Sequence, residues 1–384
     1  MIWEETEMTV ISGLMLWRLV VTCVYLPTEL IGKWISDMIN WGLDLLFHLP
    51  AYTVEFLALN SKPLLQVLIL PGLAFVLVFA IIAVWFERKF LARAMLRVGP
   101  YYCGKKSGVL QVFADFLKLF MKEIIVPEGI DFLFFAAMPI LVSTVPAMAL
   151  ILIPFDQNWV LWDIGSLSMP MFFAIAGLAP LIPIFAGWAA NNKYTFIGAF
   201  RVAYMYISAE IPLVLCGAAV AIMAGSFDLL KIVEAQKSMW FAVPQFVGFV
   251  IFFLGVIIEA ERTPFDIPVA EVELVLGWRT EYSGILFGFT MMAEYVLFQA
   301  WSLLFITLYL GGFNGPNIFG NITLSHIFWL LAKFVILVVL IILIRCVFPR
   351  LRLDQMLKLG WRYMTPLAVI NLALVLVMKL GGIY

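Results

Sequence analysis

Runs of about twenty apolar residues recur along most of this chain, and about twenty helical residues are what a ~30 Å hydrocarbon core requires. They fall near residues 64–85, 131–154, 169–188, 202–224, 243–260, 285–310, 326–348 and 363–381. No connection between them is long enough to fold as a water-soluble domain, and there is no internal repeat of the kind that marks many transporters. With 64% hydrophobic residues and a mean hydropathy of +1.05, the chain cannot cover itself with the polar surface of a soluble globule. The expected fold is all-α: a polytopic transmembrane helical protein with about eight core spans embedded in the lipid bilayer.

Residues 1–60 read as an N-terminal extension to a membrane domain at 61–384. "VISGLMLWRLVVTCVYL" is long enough to span but carries Arg18, while "WISDMINWGLDLLFHLP" has the pattern of an amphipathic surface segment. A ninth helix and a surface segment both remain open there. The start "MIWEETEM" carries acid where a secretory signal needs a basic region, so no cleavage is expected.

Loop charge sets the orientation. The loops after the first, third, fifth and seventh spans hold sixteen Lys and Arg, against three after the even-numbered spans. By the positive-inside bias the odd-numbered loops face the cytoplasm, which puts the chain in a cell inner (plasma) membrane. The net charge of −1 points to no nucleic-acid partner. The four cysteines are scattered and the two histidines lie far apart, so haem, iron-sulfur and zinc sites have no ligand set. Any redox centre is expected on another chain.

Against this background the fifth loop, "EAERTPFDIPVAEVELVLGWRTEYSG", is anomalous. It holds Glu259, Glu261, Asp266, Glu271, Glu273 and Glu281, six of 25 acidic residues in a chain only 13% charged. Pro264 and Pro268 restrain its backbone, and Phe265, Ile267, Leu274, Val275 and Trp278 give it apolar anchors. It reads as a folded loop on the bundle with some acids turned inward. Glu261 is the first candidate for a solvated position, and Arg262, three residues on, is a local partner for Glu259.

Two more carboxylates sit inside spans. Glu210, in "AYMYISAEIPLVL", lies about two and a half turns from Arg201, and Glu294 lies in "MMAEYVLF". A carboxylate at such depth costs about 2.5–3.5 kcal/mol on insertion scales and does not face lipid. A proton-titrating group in a wet cavity and a structural hydrogen bond to a neighbouring helix are both open. In the first loop, Gln111, Asp115, Lys118 and Lys122 form one narrow polar stripe on an otherwise apolar helix. That stripe faces either water at the membrane surface or a buried polar cavity.

Together these motifs resemble the H-subunit family of NADH-quinone oxidoreductase, respiratory complex I, over about residues 64–380. "ERKFLARAMLRVGP" and "ADFLKLFMKE" match its first loop, and "GWAANNKYTFIGAFR" with "ISAEIPL" its third. Its Glu-Thr-Asn-Arg-Ala-Pro-Phe-Asp and Thr-Glu-Tyr-Ser-Gly are met by "EAERTPFD" and "TEYSG". "AEY", "GGFNGP" and "FPRLRLDQMLKLGW" complete the set.

The resemblance implies a chamber for a lipid quinone, the substrate, with flavin and iron-sulfur clusters on partner subunits and no covalently bound cofactor on this chain. It implies partners of several kinds: peripheral-arm iron-sulfur and quinone-site subunits, antiporter-like subunits and small membrane subunits. By position, Glu87, Arg88, Arg97, Asp115 and Lys118 would line or support the chamber. Glu210, Glu259, Asp266, Glu271, Glu273, Glu281 and Glu294 would form an acidic proton path from it.

The chain departs from the family pattern at Ala260 and Glu261, which replace Thr and Asn, and at Val269, which replaces an acid. Its third span has no carboxylate but has Pro180 and Pro183. Fewer members in the path are implied. The nearest alternative is the equivalent anchor subunit of a membrane-bound hydrogenase or of a ferredoxin- or F420-linked dehydrogenase; a stand-alone proton or cation transporter is a third reading.

If the charge bias sets the topology, a cysteine at Ser283 should resist a membrane-impermeant maleimide added outside sealed, right-side-out cells. Efficient labelling there would reverse the topology.

Overall fold

The computed structural model describes residues 73–104, 108–157, 160, 164–267, 274–317 and 322–381. The chain divides into Met1–Leu64 and Leu65–Tyr384, and all described residues belong to the second unit. The expectations for residues 1–60, and for Glu271 and Glu273, fall outside the described residues.

The described elements are helices: α1 (Leu73–Ala94), α2 (Leu110–Met121), α3 (Phe132–Ile151), α4 (Ser168–Ala176), α5 (Leu181–Ala189), α6 (Lys193–Ala224), α7 (Leu229–Ala235), α8 (Phe246–Glu259), α9 (Gly284–Tyr309), α10 (Ile322–Val347), α11 (Leu353–Lys358) and α12 (Thr365–Leu380). Among the described residues, six segments are long and apolar enough to cross a membrane: α3, Gly165–Ala189, α6, α9, α10 and Leu353–Leu380. This is a polytopic helical membrane protein.

The remaining two expected spans differ from simple crossings for identifiable reasons. α1 gathers Glu87, Arg88, Lys89 and Arg93 in its second half, so the helix continues past its apolar run. α8 has only 14 residues. At 1.5 Å per residue it measures about 21 Å, short of a ~30 Å hydrocarbon core. The chain that follows it is therefore buried in protein, where irregular backbone is tolerated at membrane depth. Ala260, Glu261, Arg262, Phe265 and Ile267 are all buried.

The third span is broken between α4 and α5. Pro180 and Pro183 have no N–H, so the carbonyls of Ala176 and Ala179 lose their ordinary i+4 donors. Ala176 is served instead by the amide of Ala179 at 2.8 Å, and Leu178 by that of Leu181 at 3.1 Å. The last span also departs from regular α geometry, through a π-helical turn over Leu359–Met364.

α6 is the central post, with α5, α8 and α12 against it, while α9 runs along α3. Its 32 residues start at Asn192, whose side chain accepts from the amide of Tyr194, and stop at Gly225 with φ 74°. A short 3-10 turn, Gly277–Arg279, lies directly on α6. Gly198 permits that approach: a Cβ there would stand 2.8 Å from backbone atoms of Gly277 and Trp278. Because backbone cannot swing aside, Gly198→Ala should displace the turn that carries Arg279 and destabilise the fold by roughly 1–3 kcal/mol. Thermal unfolding of the purified protein checks this; an unchanged midpoint would contradict the packing.

Candidate functional site

Five helices and one buried loop bring charge into the bundle. From α1 comes Glu87, 6% exposed. Arg262 of the fifth loop donates from Nη1 to its Oε1 at 2.9 Å, Arg345 near the end of α10 reaches the same oxygen, and the Tyr295 hydroxyl donates to Oε2 at 3.0 Å. The Arg262 guanidinium also lies over the Tyr295 ring, 4.6 Å from its centroid. Its Nη2 has no hydrogen-bond partner among the described residues.

A second cluster forms around Arg279, which is 2% exposed. Its Nη2 donates to Glu261 Oε2 at 3.0 Å and its Nη1 to Glu294. The Tyr206 hydroxyl of α6 donates to Glu261 Oε1 at 2.5 Å, and the Trp278 ring lies under the guanidinium at 4.8 Å. A cavity of about 20 Å³ adjoins these groups, lined by Tyr206, Glu261, Arg279, Glu294 and, from the broken span, Ala179 and Pro183. It has room for one water.

Glu259, at the end of α8, is 2% exposed and its Oε1 has no hydrogen-bond partner among the described residues. Its charged neighbours are Glu210 and Glu261. Glu210 is half-buried and abuts the break in the third span: a Cβ on Gly177 would lie 2.6 Å from Glu210 Oε1. Asp266 pairs with Arg350 at 2.9 Å, and Glu281 accepts from Asn192 Nδ2 at 2.5 Å.

The first-loop residues form a different group. Asp115 on α2 pairs with Arg88 at 2.5 Å, accepts from Gln111 Nε2 at 3.1 Å, and has Lys118 at 3.9 Å. Burial alone would raise the Asp115 pKa, but the hydrogen bonds from Arg88 and Gln111 and the nearby charges of Arg88 and Lys118 hold it below the ordinary value. Arg88 and Lys118 are exposed, as is Arg97, whose Nη2 approaches Met95 Sδ at 3.4 Å. No residue of α2 is buried.

The NADH dehydrogenase family profile matches residues 66–376. The chain is 39% identical over 313 residues to the NADH-quinone oxidoreductase H subunit of Bacillus mycoides (strain KBAB4), covering 80% of this chain and 93% of that protein. The same name, coverage and length of match hold at 39% for Bacillus thuringiensis subsp. konkukian (strain 97-27) and at 38% for Bacillus cereus (strain AH187). The chain belongs to this family.

Two sequence expectations are corrected by the packing. Glu261 is not a solvated acid: it is 7% exposed and lies between Tyr206 and Arg279. Arg262 does not neutralise Glu259 locally, because its guanidinium is turned to Glu87. The sequence resemblance implies Asn where Glu261 stands, and Glu261 adopts φ 49°. Asn visits this left-handed region readily, whereas a glutamate does so at a cost its two partners must offset.

Sequence reading also missed Arg345, Tyr295, Tyr206 and Asn192. Tyr295 had a signal, since it follows Glu294 in "AEY". Arg345 had one too, a cation within the apolar run that ends at Val347.

Glu261 and Asp266 of the loop differ in proton affinity from free carboxylates. Burial raises Glu261 to about 6, with Glu294 and Asp266 adding to the effect and Arg279 and Tyr206 opposing it. Burial likewise raises Asp266 against the pull of Arg350. A raised folded-state pKa means the fold holds more protons than the unfolded chain, so stability from Glu261 falls as pH rises from 4.5 through about 6. Infrared difference spectra of the intact protein should show a protonated-carboxyl band lost as pH rises through about 6, and lacking in Glu261→Gln. An identical band in the variant would assign the proton elsewhere.

Proposed function

We propose that this chain is the membrane subunit of a complex I-like NADH-quinone oxidoreductase that forms the quinone-binding chamber and couples quinone reduction to proton translocation. The observation that carries the reading is the run of buried and half-buried acids joining three helices: Glu210 on α6, Glu259 on α8, Glu261 in the loop, and Glu294 on α9 beyond Arg279. Glu210 and Glu259 have no arginine in contact among the described residues, so nothing fixes their charge. Glu261 sits at about 6, near the pH at which a group exchanges protons readily.

In this reading Arg88, Asp115, Lys118 and Arg97 support the chamber mouth, where the half-exposed pair on α1 and α2 meets the apolar surface of α2. Glu87 belongs to both parts, since it is carried by α1 but anchors Arg262 of the acidic loop. Glu271, Glu273, Asp266 and Glu281 complete the acidic loop. Reduction of a quinone to the quinol takes up two protons, and in a low-dielectric chamber the resulting charge change perturbs neighbouring carboxylates. Electrons come from flavin and iron-sulfur clusters on peripheral-arm subunits, and protons continue toward antiporter-like and small membrane subunits. The chain is a multi-pass component of the plasma membrane with its odd-numbered loops cytoplasmic, and residues 1–60 are an extension to the family domain.

Replacing Glu210 by Gln keeps size and hydrogen bonding but removes titration. The assembled complex should lose about tenfold in quinone-linked turnover, the change that ~1.4 kcal/mol in a barrier produces. NADH oxidation by a water-soluble acceptor should stay intact. Asp115→Asn should instead raise the apparent KM for quinone. Wild-type turnover and pumping in assembled Glu210→Gln would remove Glu210 from the coupling path.

A further inference from the structure

Where α5 ends and α3 and α6 begin, a cleft of about 460 Å³ opens between Asp131, Trp188, Asn191, Asn192, Lys193 and Phe196. Its volume is that of a small-molecule site, for which about 300–1,000 Å³ is usual. We propose that it holds the head group of a zwitterionic membrane phospholipid carrying a primary ammonium, with the ammonium on Asp131 and the phosphate on Lys193.

Charge selects this kind of head group. Asp131 and Lys193 are both exposed and of opposite sign, and among the described residues neither enters an ion pair. Lys193 lies over the Tyr194 ring, 5.2 Å from its centroid. A phosphate offers Lys193 a point-charge partner. A purely anionic head group would leave Asp131 facing like charge, and a choline head group has no N–H to donate to it. A primary ammonium answers both.

The surface that continues from the cleft is aromatic. Trp188, itself a cleft wall, stands edge-on to Phe134 at 5.8 Å, and Phe134 stacks with Phe185 at 6.2 Å. All three rings are exposed, on helices that cross the membrane. Aromatic rings at this level of a span mark the bilayer interface. Polar cleft above and apolar rings below match an amphiphile, whereas a soluble phosphate would use only the cleft.

The cleft is also held rigid. Asn191 Nδ2 donates to the Gly129 carbonyl at 3.0 Å, which ties the two walls together. Asn192 is fixed on both sides, accepting from the Tyr194 amide at 3.0 Å and donating to Glu281 at 2.5 Å. The occupant would thus rest one hydrogen bond from the acidic fifth loop.

The test uses the intact membrane complex in nanodiscs with equal parts of phosphatidylethanolamine, phosphatidylglycerol and phosphatidylcholine. Native mass spectrometry should find phosphatidylethanolamine retained by the wild type. Retention should fall about tenfold in Lys193→Ala, equivalent to ~1.4 kcal/mol, and Asp131→Asn should lose the preference over phosphatidylglycerol. A photo-crosslinking residue in place of Phe196 should capture lipid. Unchanged retention in both variants, preference for the anionic lipid in the wild type, or capture of a polypeptide from position 196 would each overturn the proposal.

Discussion

A charge buried inside a helical bundle needs an opposite charge within reach, and removing one partner of such a pair costs about 3–5 kcal/mol. The 14-residue α8 makes this requirement unavoidable here, because the chain leaves the helix while still enclosed by its neighbours. The loop that follows carries Glu261 and Arg262 at once. Each must find a partner on a different element, and so the loop pulls α1, α6, α9 and α10 into register. Arg345 and Glu87, 258 positions apart, meet at the same carboxylate oxygen that Arg262 holds.

The sequence order of these residues produces the spatial order of charge. Glu261 turns to Arg279 while Arg262 turns to Glu87; one helix away, Glu294 turns to Arg279 while Tyr295 turns to Glu87. Two adjacent pairs thus feed the same two clusters in the same order. Fully ionised, the clusters contain three arginines and three glutamates, with the surplus negative at Arg279 and positive at Glu87. A proton arriving at Glu261 would cancel the negative surplus and leave the positive one, so a change at one cluster is felt across a single peptide bond by the other. Low dielectric makes that influence large.

Spans and acids were legible in the sequence because each depends on local composition. Hydropathy located α3, α6, α9, α10 and the C-terminal span, and the prolines and apolar anchors among its acids marked the fifth loop as ordered. Partner choice was not legible. Arg262 lies three residues from Glu259, and helical spacing favoured that pair; α8 ends at Glu259, so the spacing no longer applied and the guanidinium turned to α1. Glu261 read as solvated because no nearby residue demanded it; its partners, Tyr206 and Arg279, sit on α6 and beyond a second turn of the loop. Pairing across tens of residues is decided by tertiary packing, which no local pattern encodes.

The broken third span borders these same acids. That span holds no carboxylate but has two prolines, Pro180 and Pro183. They break the helix where Glu210 and the Arg279 cluster come closest to it: Gly177 faces Glu210, while Ala179 and Pro183 line the small cavity beside Glu261 and Glu294. Pro183 has no N–H to give, so the Ala179 carbonyl is an acceptor without its helical donor. The break thus leaves polar backbone inside the bundle, and the cavity of about 20 Å³ that it borders has room for one water.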